Sequence, residues 1–369
     1  MDTVVDFDRA FQSSGATAER APGRIGGPAA WRGVDMAGRV DEWRYQLSDA
    51  EVTELDDAMR RTRETDFIAV GRADFTLPSL GATFDDMRRE LLTGRGFVVI
   101  RGVPVGDYTI EEAARVYWGL GTYFGNARSQ NAKGHVLGHV CDLGARFDAF
   151  NKPGRTRIYQ TRVRQLYHTD GVDVVALMCL RKSKSGGEST ICSSVTVHDE
   201  MWQRDRDLWA ELYKPFWRDR RGEIPPGRKP YYPSALFHYH EGLLSATFSR
   251  DYAESCKRFE ELPPLTAMQT AAHDLADSIA EDTDTRLDMA FEPGDVQILH
   301  NHQILHARAD YEDWPEIERR RHLLRLWLSP DDGRPLPDSF LERYLGVEIG
   351  KRGGIVVPGT ELCAPLVPE

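Results

Sequence analysis

The chain has 369 residues, 41% hydrophobic and 10% aromatic, enough for a sizeable packed core and too apolar for wholesale disorder. Its 47 Lys and Arg against 58 Asp and Glu give a net charge of −11. That balance argues against a nucleic-acid or anionic-membrane partner, because both need a basic face. The cysteines (Cys141, Cys179, Cys192, Cys256 and Cys363) are odd in number, scattered and without a C-x-x-C pair, so reduced thiols are expected. No apolar run approaches the roughly 18 residues of a membrane span. The acidic start, Met1-Asp-Thr-Val-Val-Asp, lacks the order of a signal peptide, and a cytoplasmic protein is expected.

Residues 1–40 are rich in Gly, Ala, Pro and Arg without periodicity and read as a tail or loosely docked arm, ahead of one domain over 41–369. Gly23-Arg-Ile-Gly-Gly has no strand before it and no helix pattern after it, so it is not read as a phosphate loop. Ser48-Asp-Ala-Glu resembles a capping box, and Val52, Leu55 and Met59 recur at helical spacing behind it. A second helix is expected over Thr83–Leu92, a buried strand over Gly96–Gly102 and a further helix over Glu111–Leu120. Strands are expected at Thr156–Thr161, Gly171–Leu180 and Ser189–Val197. After a helical and aromatic insertion over about 198–290 they resume at Asp295–His300, Ile304–Arg308 and His322–Leu328. Strands bracketing an insertion, with helices leading, predict a mainly β fold with α: a barrel or sandwich with helices packed outside it.

The chemistry concentrates in His168-Thr-Asp170 and, far downstream, His306 in Ile304-Leu-His-Ala-Arg. Side chains at i and i+2 of a strand share a face, so His168 and Asp170 converge and a distant strand supplies the third ligand. Two histidines and a carboxylate on one face of an octahedron leave open positions, an arrangement that suits Fe(II). A second signal is Arg319-Arg-Arg-His-Leu-Leu-Arg-Leu-Trp-Leu. As a strand it sets Arg321, Leu323, Arg325 and Trp327 on one face, against His322, Leu324, Leu326 and Leu328 on the other. Buried arginines need anionic partners, and an internal arginine is a bidentate trap for a carboxylate.

At these residues the chain resembles the taurine dioxygenase and phenoxyacetate-herbicide dioxygenase group (TauD/TfdA type) of the clavaminate synthase-like oxygenases. The resemblance covers about 85–345 and rests on Tyr167-His-Thr-Asp-Gly, Gly186-Gly-Glu-Ser-Thr, Pro293-Gly-Asp, Leu305-His-Ala-Arg and Arg321-His-Leu-Leu-Arg. It implies a double-stranded β-helix (jelly-roll) core with flanking helices. It implies Fe(II) held by His168, Asp170 and His306, with 2-oxoglutarate and O2 as co-substrates and succinate and CO2 released. Arg321 matches the arginine that clamps the far carboxylate of 2-oxoglutarate, assisted by a hydroxyl from Ser189 or Thr190. Arg325 matches a position that in some relatives holds an anionic group of the substrate. Gln130 and Asn131 fall in a loop often near substrate. The implied reaction is oxidation, foremost hydroxylation, of a small organic metabolite, an acid being favoured by Arg325.

Two other readings stand beside it. His198-Asp199 and His273-Asp274 are H-D pairs of the kind a metal phosphohydrolase uses, though neighbours on a helix diverge by about 100°. A non-catalytic ligand-binding jelly roll is the other, and the complete triad argues against it. His300 and His302 read as flanking or surface residues, His135-Val-Leu-Gly-His139 as a loop, and Trp202, Trp209, Phe216 and Trp217 as core of the insertion, with Tyr231, Tyr232 and Phe237 as core or lid. Oligomeric state has no signal.

Overall fold

The computed structural model describes residues 19–144 and 157–369. Residues 1–18 of the expected arm, and Thr156 of the strand expected from that residue, lie outside the described residues.

Two sheets face one another across an apolar layer. The larger runs in the order Arg44–Gln46, Phe97–Arg101, Val296–His300, Val174–Arg181, His322–Ser329 and Asn126–Ala127, with Leu137–Val140 also pairing His322–Ser329. The smaller runs Arg286–Met289, Ser189–Ser193, Ile304–Arg308 and Gln165–His168. Neighbours in both are antiparallel, except that Arg44–Gln46 runs parallel to Phe97–Arg101. Period-2 alternation assigns each side chain a layer. Val175, Cys179, Leu299, Leu323 and Trp327 face Ile191, Leu287 and Ile304 between the sheets. Val174, Ala176, Met178, Leu324, Leu326 and Leu328 point the other way, under the leading helices. Cys192, Leu305 and Ala307 back onto the insertion. Two facing, mostly antiparallel sheets with helices outside them match the jelly-roll core expected from the resemblance.

The leading helices form where expected. Asp49–Arg61 starts at a complete capping box, Ser48 Oγ accepting from Glu51 N at 3.4 Å and Glu51 Oε2 accepting from Ser48 N at 2.8 Å. Leu80–Thr93 and Ile110–Gly121 follow it onto the large sheet. Corrections fall where turns compete with strands. The described part of Thr156–Thr161 carries a 3-10 turn, Ile158–Gln160, in place of a strand. Ser189–Val197 stops as a strand at Ser193, whose Oγ caps the helix Ser194–Arg204 by accepting from Thr196 N at 3.0 Å. The segment read as a loop around His135–His139 contributes the strand Leu137–Val140.

The insertion holds two hairpins, Phe216–Asp219 with Tyr231–Ser234 and Phe237–His240 with Leu243–Ala246, and the helix Ala267–Glu281. Trp209, Phe216, Trp217, Tyr231 and Phe237 are buried there, Trp202 is partly buried, and Tyr232 turns to the cavity described below. Of the expected arm, Ala21, Trp31 and Met36 are buried against the sheets and insertion. Its Ile25 and Gly26 amides donate to the Asp199 carboxylate at 2.8 and 2.9 Å, so a side chain fills the place a phosphate would take. All five cysteines are unpaired.

Candidate metal centre and active site

His168 ends its strand directly opposite His306, so the sheet register alone brings the two imidazoles together with ring centroids 4.1 Å apart. Asp170 follows in a loop that turns back over them. Its Oδ1 lies 3.9 Å from His168 Nε2 and its Oδ2 3.9 Å from His306 Nε2. One ligand atom from each of the three falls within 4.8 Å of the others, and among the described residues no other group of His, Cys, Asp and Glu does so.

The donor set fits a divalent iron. His168 Nδ1 donates to the Leu166 carbonyl at 2.9 Å, which leaves the Nε2 lone pair for a metal. Burial, then the neighbouring His168, pushes the His306 imidazole down to about 3, so it is neutral and able to ligate. Burial works against ionisation of Asp170, yet Arg325, His306 and His168 outweigh it and hold that carboxyl below its usual range. Gln165 Nε2 sits 2.8 Å from His168 Nε2, in the space a metal would claim.

The Asp170 loop is tied down on every side. Asn301 accepts from Asp170 N at 2.9 Å and donates to the carbonyls of Asp170 at 2.5 Å and Val172 at 2.7 Å. Arg343 Nη2 also donates to the Asp170 carbonyl, at 2.7 Å. Trp327 Nε1 donates to Asp170 Oδ2 at 3.0 Å.

Behind the histidines lies a pocket lined by Ser189, Arg308, Arg321, Leu323, Arg325 and Phe291. Arg321 is 5% exposed, and its Nη1 has no hydrogen-bond partner among the described residues. A buried guanidinium in that condition demands an anion. Gly187 makes the approach possible at φ +78°, where an added Cβ would stand 3.2 Å from Arg321 Nε. Of the two hydroxyls, Ser189 faces the pocket, opposite Arg308. Thr190 points to the outer face and bonds Asp288 at 2.9 Å.

Arg325 donates from Nε to Gln130 Oε1 at 2.7 Å, and its Nη1 is 3.6 Å from Asp170 Oδ2. Gln130 therefore reaches the cavity, whereas Asn131 faces a recess beyond it and accepts from Lys133 N at 2.9 Å. The H-D pairs stay apart from the metal triad. His198 is locked between Asp199 and Tyr213 at 2.9 and 2.8 Å, while His273 is buried against Phe216 and Phe248 with Asp274 turned out to Arg250. His300 and His302 are buried, and His302 Nε2 bonds Asp173 at 2.8 Å. Residues that sequence reasoning did not assign include Arg308, Gln165, Asn301, Trp327 and Arg343. The i+2 spacing of Arg308 from His306 was the available signal, since both must share a face.

The chain is similar to the FR-33289 synthase of Streptomyces rubellomurinus, at 30% identity over 87% of this chain and 96% of that protein. It is also similar to the taurine hydroxylase-like protein SAT17 of Stachybotrys chartarum, at 28% identity over 89% of this chain and 84% of that one. Among solved structures, an asparagine oxygenase in complex with Fe(II), 3-hydroxyasparagine and succinate shares the fold. Its TM-score is 0.61 at 14% identity over 78% of this chain and 93% of that one. The taurine catabolism dioxygenase TauD, TfdA family model matches residues 58–327, and the chain belongs to this family of iron- and 2-oxoglutarate-dependent dioxygenases.

Proposed function

We propose that this dioxygenase hydroxylates a small acidic metabolite, with His168, Asp170 and His306 holding Fe(II) and Arg321 with Ser189 holding the far carboxylate of 2-oxoglutarate. The observation that carries the reading is the convergence of the triad, within 4.8 Å, at the junction of the Arg321 pocket and a second, larger cavity. Bound iron supplies oxygen activation coupled to decarboxylation of 2-oxoglutarate, yielding succinate and CO2. The chain's own residues do the positioning. Arg321, itself buried, offers a two-pronged contact to a carboxylate. Arg308 raises the positive potential beside it, and Leu323 and Phe291 exclude solvent. Arg325, Gln130 and Trp327 form the wall where substrate meets the metal.

We further read residues 41–369 as one catalytic domain and 1–40 as an arm, whose described residues 19–40 pack against it, acting in the cytoplasm without nucleic-acid or membrane partners. The net charge of −11 supports that reading. No helix among the described residues is long and apolar enough to cross a membrane. The test is anaerobic loading with Fe(II) followed by oxygen and labelled 2-oxoglutarate. Succinate must form, must need iron, and must rise when an acidic metabolite pool is added. A loaded enzyme that binds 2-oxoglutarate but never decarboxylates it, with any pool, would sink the reading.

A further inference from the structure

The cavity that opens onto His168 and Asp170 changes character away from the metal. There it is lined by Arg157, Arg221, Arg343, Tyr232, Tyr252 and Glu223. The three arginines come from well-separated stretches of chain, and none of the six lies in a motif proposed to place the iron or the co-substrate. Arg157 precedes the Ile158–Gln160 turn, Tyr252 lies in the short helix Arg250–Glu254, and Arg343 lies in Leu341–Tyr344. Arg221 stands just past the strand Phe216–Asp219 with φ +52°, a left-handed conformation for a non-glycine residue, and is 4% exposed. Such backbone is strained and persists only where its surroundings hold it.

Most other charges on the cavity wall are already matched. Asp219 takes a two-pronged contact from Arg258 at 2.8 and 2.9 Å, Arg220 pairs with Glu342 at 2.9 Å, and Arg250 pairs with Asp274 and Asp277 at 2.6 and 2.8 Å. Within the cluster, Arg157 pairs with Glu223 at 2.6 Å. Yet Arg157 Nη1 and Arg343 Nε have no hydrogen-bond partner among the described residues. Burial also holds the Glu223 carboxyl above its usual range, although Arg157, Arg221 and Arg325 oppose it, so Glu223 is a weak internal counter-ion.

We propose that Arg157, Arg221 and Arg343, with the hydroxyls of Tyr232 and Tyr252, form a subsite for a tetrahedral dianion, the phosphonate or phosphate-monoester head of the substrate. The proposal rests on the oxygenase reading and names its substrate class. Guanidinium groups approaching from separate chain segments need separate acceptor edges. A planar carboxylate offers two oxygens, whereas a phosphoryl group offers three and carries up to two charges. Arg343 also touches the Asp170 carbonyl, so the head sits close to the metal and the substrate is short. Arg321 faces a different pocket, so 2-oxoglutarate and the head do not compete.

The probes are butanoate, propanesulfonate, propylphosphonate and propyl phosphate, titrated calorimetrically into the anaerobic Fe(II) enzyme at about pH 8 with and without 2-oxoglutarate. Propylphosphonate, propyl phosphate or both should bind at least about tenfold tighter than the two monoanions, and which of them does so identifies the source. Arg221→Gln and Tyr252→Phe should each weaken that binding, the arginine variant by about tenfold, the loss of one charge-assisted contact. The affinity for 2-oxoglutarate should not move, and Glu223→Gln should tighten the phosphoryl probes. Equal binding of butanoate, indifference to both weakening variants, or displacement of 2-oxoglutarate by the probes would overturn the subsite. If the probes behave as expected while 2-oxoglutarate fails to bind, the subsite stands and the oxygenase reading falls.

Discussion

Trp327 donates its indole N–H to Asp170 Oδ2 at 3.0 Å, and Arg325 from the same strand face lies 3.6 Å from that oxygen. The carboxylate is therefore oriented by the strand that also leads to Arg321, linking the geometry of the triad to that of the Arg321 pocket. Trp327→Phe keeps an aromatic ring in the layer between the sheets and removes the bond alone. Fe(II) affinity should fall by about 10- to 100-fold, the usual range for loss of a group that orients a metal ligand. Anaerobic competition against a chromophoric chelator reads this directly. Unchanged affinity would show that the Asn301 clamp and Arg325 suffice to orient Asp170.

Each member of the triad supplies one donor, and no other His, Cys, Asp or Glu group among the described residues stands ready to replace it. His168→Ala, Asp170→Ala and His306→Ala should each abolish succinate formation and lower the iron retained after desalting. His302→Ala should retain iron, because His302 is held by Asp173 away from the triad. Any triad variant with near-normal turnover and iron content would remove that residue from the metal.

The pocket proposed to take 2-oxoglutarate makes two linked predictions. Arg321→Ala should raise the KM for 2-oxoglutarate at least about tenfold, since one partner of a buried charge-assisted pair is lost, and Arg321→Lys should recover only part of it. Gly187→Ala reaches the same pocket through the backbone. Its φ of +78° costs a non-glycine residue about 1–2 kcal/mol, and the new methyl would press on Arg321 Nε from 3.2 Å. The variant should melt lower and show a raised KM for 2-oxoglutarate. A normal KM in both Arg321→Ala and Gly187→Ala would move the co-substrate elsewhere, with Arg308 the next position to test.

Much of this site was legible because strand periodicity is strict. Alternation correctly set Leu323, Arg325 and Trp327 opposite Leu324, Leu326 and Leu328, and a pair of arginines on a buried face raised the expectation of an anion. The same rule applied two residues past His306 would have added Arg308. Short range failed where local and tertiary preferences conflict. Gly134 and Gly138 argue for a loop, yet Leu137–Val140 is held as a strand by pairing with Leu323–Leu326, a partner far away in sequence. Nothing local marks Arg343 or Tyr252 either, since their places in the cavity depend on how the insertion and the C-terminal segment fold back beside His168 and Asp170.

Asn301 belongs to that second group. In sequence it reads as part of a turn between two strands, but its side chain accepts from Asp170 N and donates to the carbonyls of Asp170 and Val172. After Asn301→Ala, Arg343 still serves the Asp170 carbonyl and Tyr344 Oη the Val172 carbonyl, the latter at 3.1 Å, so the Asp170 N–H is the group left without a partner. Burying one such donor unpaired costs about 1–3 kcal/mol. The Asp170 loop should loosen while the sheets persist. The expected result is a fall in unfolding free energy of that size in denaturant titrations, together with weaker Fe(II) binding and little change in 2-oxoglutarate affinity once iron is saturating. Asn301→Asp should not rescue it, because a carboxylate oxygen would then face the carbonyls of Asp170 and Val172. Wild-type stability and iron affinity in Asn301→Ala would mean that the backbone holds the loop unaided.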